Sequence, residues 1–279
     1  MNDLPRLLGT RHLMAFVVLT YGLSWSWWVA LVIRGQTTHN GVGWPTHLPG
    51  LLGPAVAAFV VTAATSGRPG VRELLGRVVR WRFDVRWYAL VVLTLLATLP
   101  SVLVGSGQRS WSGLLSYSGA PHVAGPAAVL LVAYVLVING FGEEVGWRGF
   151  LAEQLLFRTS RGITAVLVTI VWATWHLPMF WVVADLSALG AVQRVGWLVG
   201  LAFGSLFLTW MYDGAGHSIL LVALWHTAYN LATATDAARG LPAALVSTAV
   251  MVVGVVLVLR PGTWRRPSLA MPERTVTAG

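Results

Sequence analysis

The stretch that decides the fold is residues 123–157, which read VAGPAAVLLVAYVLVINGFGEEVGWRGFLAEQLLF. Its first part, 123–141, is almost entirely apolar and long enough to cross the roughly 30 Å hydrocarbon core of a bilayer as a helix. This span has no clean end, because the helical pattern continues through GFGEEVGWRGF to about Phe157. Ionisable side chains at membrane depth are costly, so their presence here indicates a functional site.

The chain as a whole has the composition of a membrane protein. Of its 279 residues, 56% are hydrophobic and only 10% are charged, whereas soluble domains carry about 25% charged residues. These values exclude a soluble enzyme, a disordered chain and a nucleic-acid binder of the usual kind. Cysteine is absent, which excludes disulfides, thiolate zinc sites and cysteine nucleophiles.

Apolar segments along the chain predict an all-α, polytopic membrane protein with about eight transmembrane helices. All 19 basic side chains are arginines, and the net charge is +9. With a cytoplasmic N-terminus, 15 of the 19 arginines fall in cytoplasmic segments, which is a strong positive-inside signal. Both termini are therefore predicted to be cytoplasmic, in a bacterial inner or plasma membrane. The predicted spans are 13–33, 48–65, 87–106, 123–141, 163–183, 195–212, 218–233 and 242–259.

A single transmembrane domain is predicted over residues 1–260, with its polar motifs confined to 140–230. Residues 261–279, PGTWRRPSLAMPERTVTAG, are polar and predict a disordered cytoplasmic tail. Residues 71–82, VRELLGRVVRWR, place arginines among large apolar side chains. This pattern is typical of an amphipathic helix on the membrane surface, although a solvated linker has the same composition.

Helical spacing separates the roles of the adjacent glutamates in the fourth span. Glu144 and Arg148 are four residues apart, which places them on one helix face and predicts an ion pair. Glu143 points about 100° away from Glu144 and has no partner that the sequence reveals. An unpaired carboxylate in a poorly solvated place is a candidate general base or acid.

Two further spans carry polar side chains. His226 and Asn230 are four residues apart in the seventh span, LLVALWHTAYN, so they share one face. Such a pair can bind a water, a metal or a developing oxyanion, or it can join two helices by hydrogen bonds. His176 lies in the fifth span and is followed by Pro178, which cannot donate a backbone hydrogen bond. It is either a site residue or a buried core histidine.

Together these segments resemble a known family. GEEVGWRGFL, WATWHLP and HTAYN are similar to the three signature motifs of the CAAX-protease and bacteriocin-processing family, also called Abi. That resemblance covers about a third of the chain. The family pattern is E-E-x-x-x-R, then F-x-x-x-H, then H-x-x-x-N or D. The matching residues are Glu143, Glu144 and Arg148, then His176 with Trp172 where Phe is usual, then His226 and Asn230.

The resemblance implies an eight-helix intramembrane endopeptidase related to the eukaryotic CAAX prenyl endopeptidase. Its partners would be the lipid bilayer and a peptide or protein substrate, with no nucleic acid. Because this chain looks bacterial, we expect membrane-associated or membrane-proximal peptides rather than prenylated CAAX substrates. The implied roles are water activation by Glu143 with His176, oxyanion stabilisation by His226 and Asn230, and ordering of the helix and of the water by Glu144 and Arg148, which makes Glu144 a candidate catalytic residue and Arg148 its structural support.

The resemblance leaves two chemistries open. Glu143, His176 and His226 could form a three-ligand zinc site with an open fourth position, in which case Glu144 would have to serve as the base. The H-E-x-x-H zinc motif is absent, and counting residues from the predicted span ends places His176 deeper than His226. We therefore favour water activation without a metal, as in a glutamate peptidase.

Two other functions are compatible with intramembrane charges. A proton-coupled transporter would use Glu143 and the histidines as a relay. The sequence shows no inverted repeat and no pair of broken spans in matching positions, which such carriers commonly have. A non-proteolytic bacteriocin-immunity protein would keep the fold alone, and the intact motifs argue against a dead enzyme.

Overall fold

A computed structural model of the chain describes residues 8–97, 116–121 and 127–265. The predicted all-α fold is confirmed for these ranges, where pairing between extended segments is limited to three isolated bridges. Within the same ranges, one helix of 12 residues or more corresponds to each predicted span. These are α1 Thr10–Ile33, α2 Gly53–Val78, α3 Val85–Leu96, α4 Val129–Leu156, α5 Arg161–Trp175, α6 Ala191–Gly214, α7 Ile219–Thr233 and α8 Leu241–Leu259.

Five of these helices are long and apolar enough to cross a bilayer: α1, α2 with the turn that leads into it, α4, α6 and α8. The other three, α3, α5 and α7, are apolar but have only 12, 15 and 15 residues. The chain is therefore a multi-pass membrane protein, while the count of eight crossings stays a prediction. The predicted third span extends over residues 98–106, which lie outside the described residues.

The fifth helix is shorter than the sequence predicts. It ends at Trp175 instead of continuing to residue 183, and His176 is its C-terminal cap. Pro178 explains the stop, because its ring cannot continue the backbone hydrogen-bond ladder. A separate helical turn follows at Met179–Val182. His176 consequently lies at a helix end and not inside a continuous span.

The helices alternate in direction, so their ends gather at two opposite ends of the bundle. At one of these, which we call the arginine-rich end, the C-terminal ends of α2, α4 and α6 meet the N-terminal ends of α5 and α7. Its contacts include Arg158 with the Leu8 carbonyl, Arg80 with the Gly216 carbonyl and Arg161 with Asp213.

The opposite, capped end is closed by the segments that follow α1, α5 and α7 together with residues 116–121. Backbone hydrogen bonds join Thr38 to Val182 at 2.7 Å, Gly41 to Tyr117 at 3.1 Å and Asp236 to Ser116 at 3.3 Å. This cap brings Tyr117 inward from the loop to the middle of α4.

Helix α4 is held close to its neighbours by glycines and is locally widened. A Cβ atom at Gly146 would overlap Pro54 of α2, and one at Gly140 would lie 2.8 Å from the Ala223 carbonyl oxygen of α7. Two π-helical segments, Leu136–Phe141 and Trp147–Ala152, flank the turn that carries the glutamates. Such segments often occur at functional sites, and here they place both glutamates at the crossing with α2 and α7.

Two peripheral predictions are refined by the structure. Residues 71–78 of the predicted amphipathic segment continue α2 beyond a kink at Gly67, whose φ is +60°. The tail is helical at its start, because Pro261–Trp264 form a turn whose tryptophan packs on Gly162. Residues 266–279 lie outside the described residues, so a disordered tail stays a prediction for them.

A buried ionic cluster stabilises the arginine-rich end. The Glu153 carboxylate of α4 is 3.1 Å from Arg77 of α2 and accepts a 2.7 Å hydrogen bond from Tyr212 of α6. His217, in the connection between α6 and α7, lies 2.6 Å from Glu153 and 3.5 Å from Asp213. Burial alone would lower the pKa of His217, but its hydrogen bonds to Asp213 and Glu153 outweigh burial and raise the pKa to about 9.

This cluster predicts a loss of stability at alkaline pH. The pKa of His217 is raised on folding, from an ordinary value of about 6.5. Its stabilising contribution is therefore fully present below about pH 6.5 and is lost as the pH rises through about 9. We expect the melting temperature to fall over this interval by a few degrees more in the wild type than in His217→Gln. Thermal unfolding in detergent from pH 6 to pH 9.5 measures this, and parallel curves for the two proteins would contradict it.

Candidate active site

Glu143 is buried near the middle of α4, with 2% of its surface exposed. Its Oε1 accepts a hydrogen bond from Asn139 Nδ2 at 3.2 Å. Its Oε2 accepts two indole N–H bonds, from Trp147 at 3.3 Å and from Trp172 at 2.7 Å. The expectation that Glu143 has no local partner was wrong. Its hydrogen-bond partners are neutral donors, however, and no cation among the described residues contacts the carboxylate.

The Asn139 side chain is itself fixed by the capped end of the bundle. Its Oδ1 accepts a 2.9 Å hydrogen bond from the hydroxyl of Tyr117. Burial, together with the nearby charge of Glu143, raises the pKa of Tyr117, which keeps this hydroxyl protonated. Because the hydroxyl occupies Oδ1, the amide nitrogen of Asn139 is directed toward Glu143.

Glu144 is fully buried and has two partners on one oxygen. Its Oε1 lies 2.9 Å from Arg148 Nη1 and 2.7 Å from His226 Nδ1. The predicted pair of Glu144 and Arg148 is therefore present, with both side chains fully buried. His226 completes a triad that joins α4 to α7. The helical spacing predicted the first contact but could not reveal the second, which joins residues 82 positions apart.

The structure brings His176 into the same site through Trp172. The imidazole Nδ1 lies 2.7 Å from the Trp172 carbonyl oxygen. A carbonyl can only accept, so Nδ1 carries the proton and a neutral ring presents Nε2 as an acceptor. The rings of His176 and His226 have centroids 5.9 and 5.7 Å from that of Trp172. Counting residues from the predicted span ends placed His176 deeper in the membrane than His226. In the structure both rings nevertheless lie beside Trp172.

Asn230 lies one helical turn beyond His226 on α7, toward the capped end. It is half-buried, and its backbone carbonyl accepts the hydrogen bond that ends the helix. Its carboxamide makes no hydrogen bond with any of the described residues. A free amide beside a histidine is an arrangement that can donate to a substrate oxygen.

Three side chains of the site, Glu143, His176 and His226, are of types that can ligate a zinc ion. Within the described ranges, no group of three or more histidine, aspartate or glutamate side chains is placed to hold one. His176 and His226 both hydrogen-bond through Nδ1, and among the described residues Nε2 of each ring is left for a water, a substrate or a metal. By their placement, Glu143, His176 and His226 do not form a ready zinc site among the described residues.

Three residues of the site were missed from the sequence. Asn139 and Trp147 lie four residues before and after Glu143, so the spacing rule applied to Glu144 would have found both. Tyr117 has no such signal, because it reaches the site from a loop 22 residues before Asn139.

Comparisons with known proteins agree with the motifs. A family model described as Type II CAAX prenyl endopeptidase Rce1-like matches residues 125–232, a range that contains every predicted site residue. CAAX prenyl protease 2 from Methanococcus maripaludis is 22% identical over 232 residues, which cover 79% of this chain and 82% of that protein. The resemblance to CAAX prenyl endopeptidases is therefore confirmed, and it supports a membrane-embedded protease.

Proposed function

We propose that this protein is an intramembrane endopeptidase that hydrolyses peptide bonds of membrane-associated or membrane-proximal peptides. The observation that carries the proposal is the position of Glu143, a buried carboxylate held by three neutral N–H donors. A structural ion pair would place a cation against this group, as Arg148 does for Glu144. An oriented carboxylate without a cation suits proton transfer.

In the proposed reaction, a water molecule lies between Glu143 and Nε2 of His176. Glu143 takes a proton from this water as its oxygen attacks the scissile carbonyl carbon, so the carbonyl oxygen becomes an oxyanion. Asn230 donates to that oxyanion through its amide, and His226 donates through Nε2 when its ring is protonated. The proton held by Glu143 then passes to the leaving amine as the C–N bond breaks, which restores the carboxylate.

Glu144 and Arg148 support this chemistry without taking part in it. Glu144 accepts from Nδ1 of His226 at 2.7 Å, which orients the ring. Arg148 in turn balances the charge of Glu144. A protonated His226 can donate from both nitrogens at once, one to Glu144 and one to the substrate.

We also propose that all eight helices cross the membrane, with the arginine-rich end and both termini in the cytoplasm. The alternating contacts at the two ends of the bundle and the distribution of arginines support this arrangement. Because the chain has no cysteine, single cysteines introduced at Ser187 and at Arg265 report the side of the membrane directly. If both cysteines were labelled from the same side of the membrane, the proposed arrangement would be wrong.

The proposed function is tested by incubating the purified protein with a peptide library in detergent or vesicles. We expect defined internal cleavage, measured by mass spectrometry, and the library includes peptides with and without a prenylated C-terminal cysteine. A transporter or an immunity protein of the non-proteolytic kind would leave every peptide intact, which would overturn the proposal.

We predict that hydrolysis does not depend on a bound metal. After exhaustive treatment with a zinc chelator, activity is expected to stay within about twofold of the untreated protein, because the acid and base groups are side chains of the chain itself. Elemental analysis of the active protein accompanies the measurement. Stoichiometric zinc, with activity lost on chelation and restored by zinc alone, would refute this chemistry.

A further inference from the structure

Trp172 is the side chain around which the site is assembled. It is buried, with 5% of its surface exposed, and its Nε1 donates to Glu143 Oε2 at 2.7 Å. The guanidinium carbon of Arg148 lies 4.6 Å from its ring centroid, in cation–π contact. Its backbone carbonyl accepts from His176. One residue thus contacts the candidate base, the structural arginine and one of the histidines.

The hydrogen bonds of Glu143 distinguish its two oxygens. An ionised carboxylate has about two acceptor sites on each oxygen. Oε2 accepts from two indoles, of Trp147 and Trp172, and is therefore saturated. Oε1 accepts only from Asn139 among the described residues, so it keeps one acceptor site. Only Oε1 can then receive a proton from a water without losing an existing hydrogen bond.

We propose that Trp172 is a positioning residue for Glu143, and that its indole N–H fixes the carboxylate so that Oε1 takes the proton from the attacking water. This inference rests on the proposed function. It is particular to this chain, because Phe, the usual residue at this position in the motif pattern, has no N–H to donate. Trp147 donates to the same oxygen over a longer distance, 3.3 Å, and holds it less firmly.

Trp172→Phe removes this hydrogen bond with little other change. A phenyl ring still covers Arg148, and the backbone carbonyl that orients His176 stays. We expect kcat to fall about tenfold to a hundredfold, the range for loss of a hydrogen bond to a charged group. We expect KM to stay within about twofold, because the indole N–H is already bonded to Glu143 and is not available to the substrate.

Trp175→Phe is the matched control. Trp175 lies on the same helix, is fully buried and packs its ring against His176 with centroids 4.9 Å apart. Its Nε1 has no hydrogen-bond partner among the described residues. The two substitutions therefore remove the same atoms from equally packed places, but only one removes a hydrogen bond. A role in packing alone would give both variants the same kcat.

A second measurement tests the contact without relying on activity. In protein labelled with 15N-tryptophan, the indole resonance that disappears in Trp172→Phe should shift in Glu143→Gln by more than the resonance that disappears in Trp175→Phe. An unshifted Trp172 resonance, or equal kcat values for the two Phe variants of an active enzyme, overturns the inference and leaves the proposed function intact. Absence of hydrolysis by the wild type overturns the proposed function itself.

Discussion

Replacement of Glu143 by glutamine is expected to lower kcat for peptide hydrolysis by at least about a hundredfold, the lower range for loss of a general base. The amide keeps the shape of the side chain but cannot take a proton from water. The surrounding hydrogen bonds can adapt, since the Tyr117 hydroxyl can rotate from donor to acceptor and allow the Asn139 amide to turn. Initial rates on a peptide that the wild type cleaves measure the loss of kcat, and circular dichroism of the variant checks that the helical fold is kept.

Glu73→Gln is the control for this substitution. Glu73 is a carboxylate on α2, its side chain is 51% exposed, and its nearest ionic contact is a 3.9 Å approach to Arg77. We expect this variant to hydrolyse peptides at the wild-type rate. Wild-type kcat in Glu143→Gln would show that Glu143 is not the base, and unfolding of Glu143→Gln would show that its role is structural.

The parts of the site that lie within one helix could be predicted from the sequence. Glu144 and Arg148 were paired by the four-residue spacing, and the structure places them 2.9 Å apart. The continuation of α4 to Leu156 was likewise predicted, because hydrophobic residues maintain the helical pattern beyond the charged motif. Local spacing is sufficient in these cases because the interacting groups share a single rigid element.

Contacts between helices could not be predicted in the same way. Glu143 was expected to be unpaired; its shortest hydrogen bond comes from Trp172, which is 29 residues away on α5 and beyond the reach of helical spacing. Tryptophan in place of the usual phenylalanine in the second motif retains an aromatic ring, yet its indole adds a donor that phenylalanine lacks. A tryptophan beside a buried carboxylate is visible only once α4 and α5 are packed together.

The helix lengths show a similar limit. Apolar composition predicted a span over 163–183, but composition does not distinguish a helix from the apolar turn that follows it. Pro178 was recognised as a residue that cannot donate a backbone hydrogen bond. Its larger effect is to end α5 at Trp175, three residues before the proline. This stop places His176 at a helix terminus, which is what allows its ring to bond the carbonyl of Trp172.

Loss of Glu144 is expected to be the most destabilising single change in the site. Removing one member of a buried ion pair leaves an uncompensated charge, which typically costs about 3–5 kcal/mol. Glu144→Ala would leave Arg148 with no ionic partner, and it would also leave Nδ1 of His226 without an acceptor. Arg148→Ala should cost less, since Glu144 keeps its hydrogen bond with His226.

The two substitutions should also be coupled. In the double variant neither charge is left alone, so its loss in free energy of unfolding should be smaller than the sum of the two single losses. Chemical unfolding in detergent of the wild type, both single variants and the double variant measures the coupling. Asp185→Ala is the control, because it breaks the half-exposed pair with Arg239 and should cost no more than about 1 kcal/mol. If Glu144→Ala were no less stable than this control, the buried triad would contribute nothing to the fold, and Glu144 would have to be assigned a role in the reaction alone.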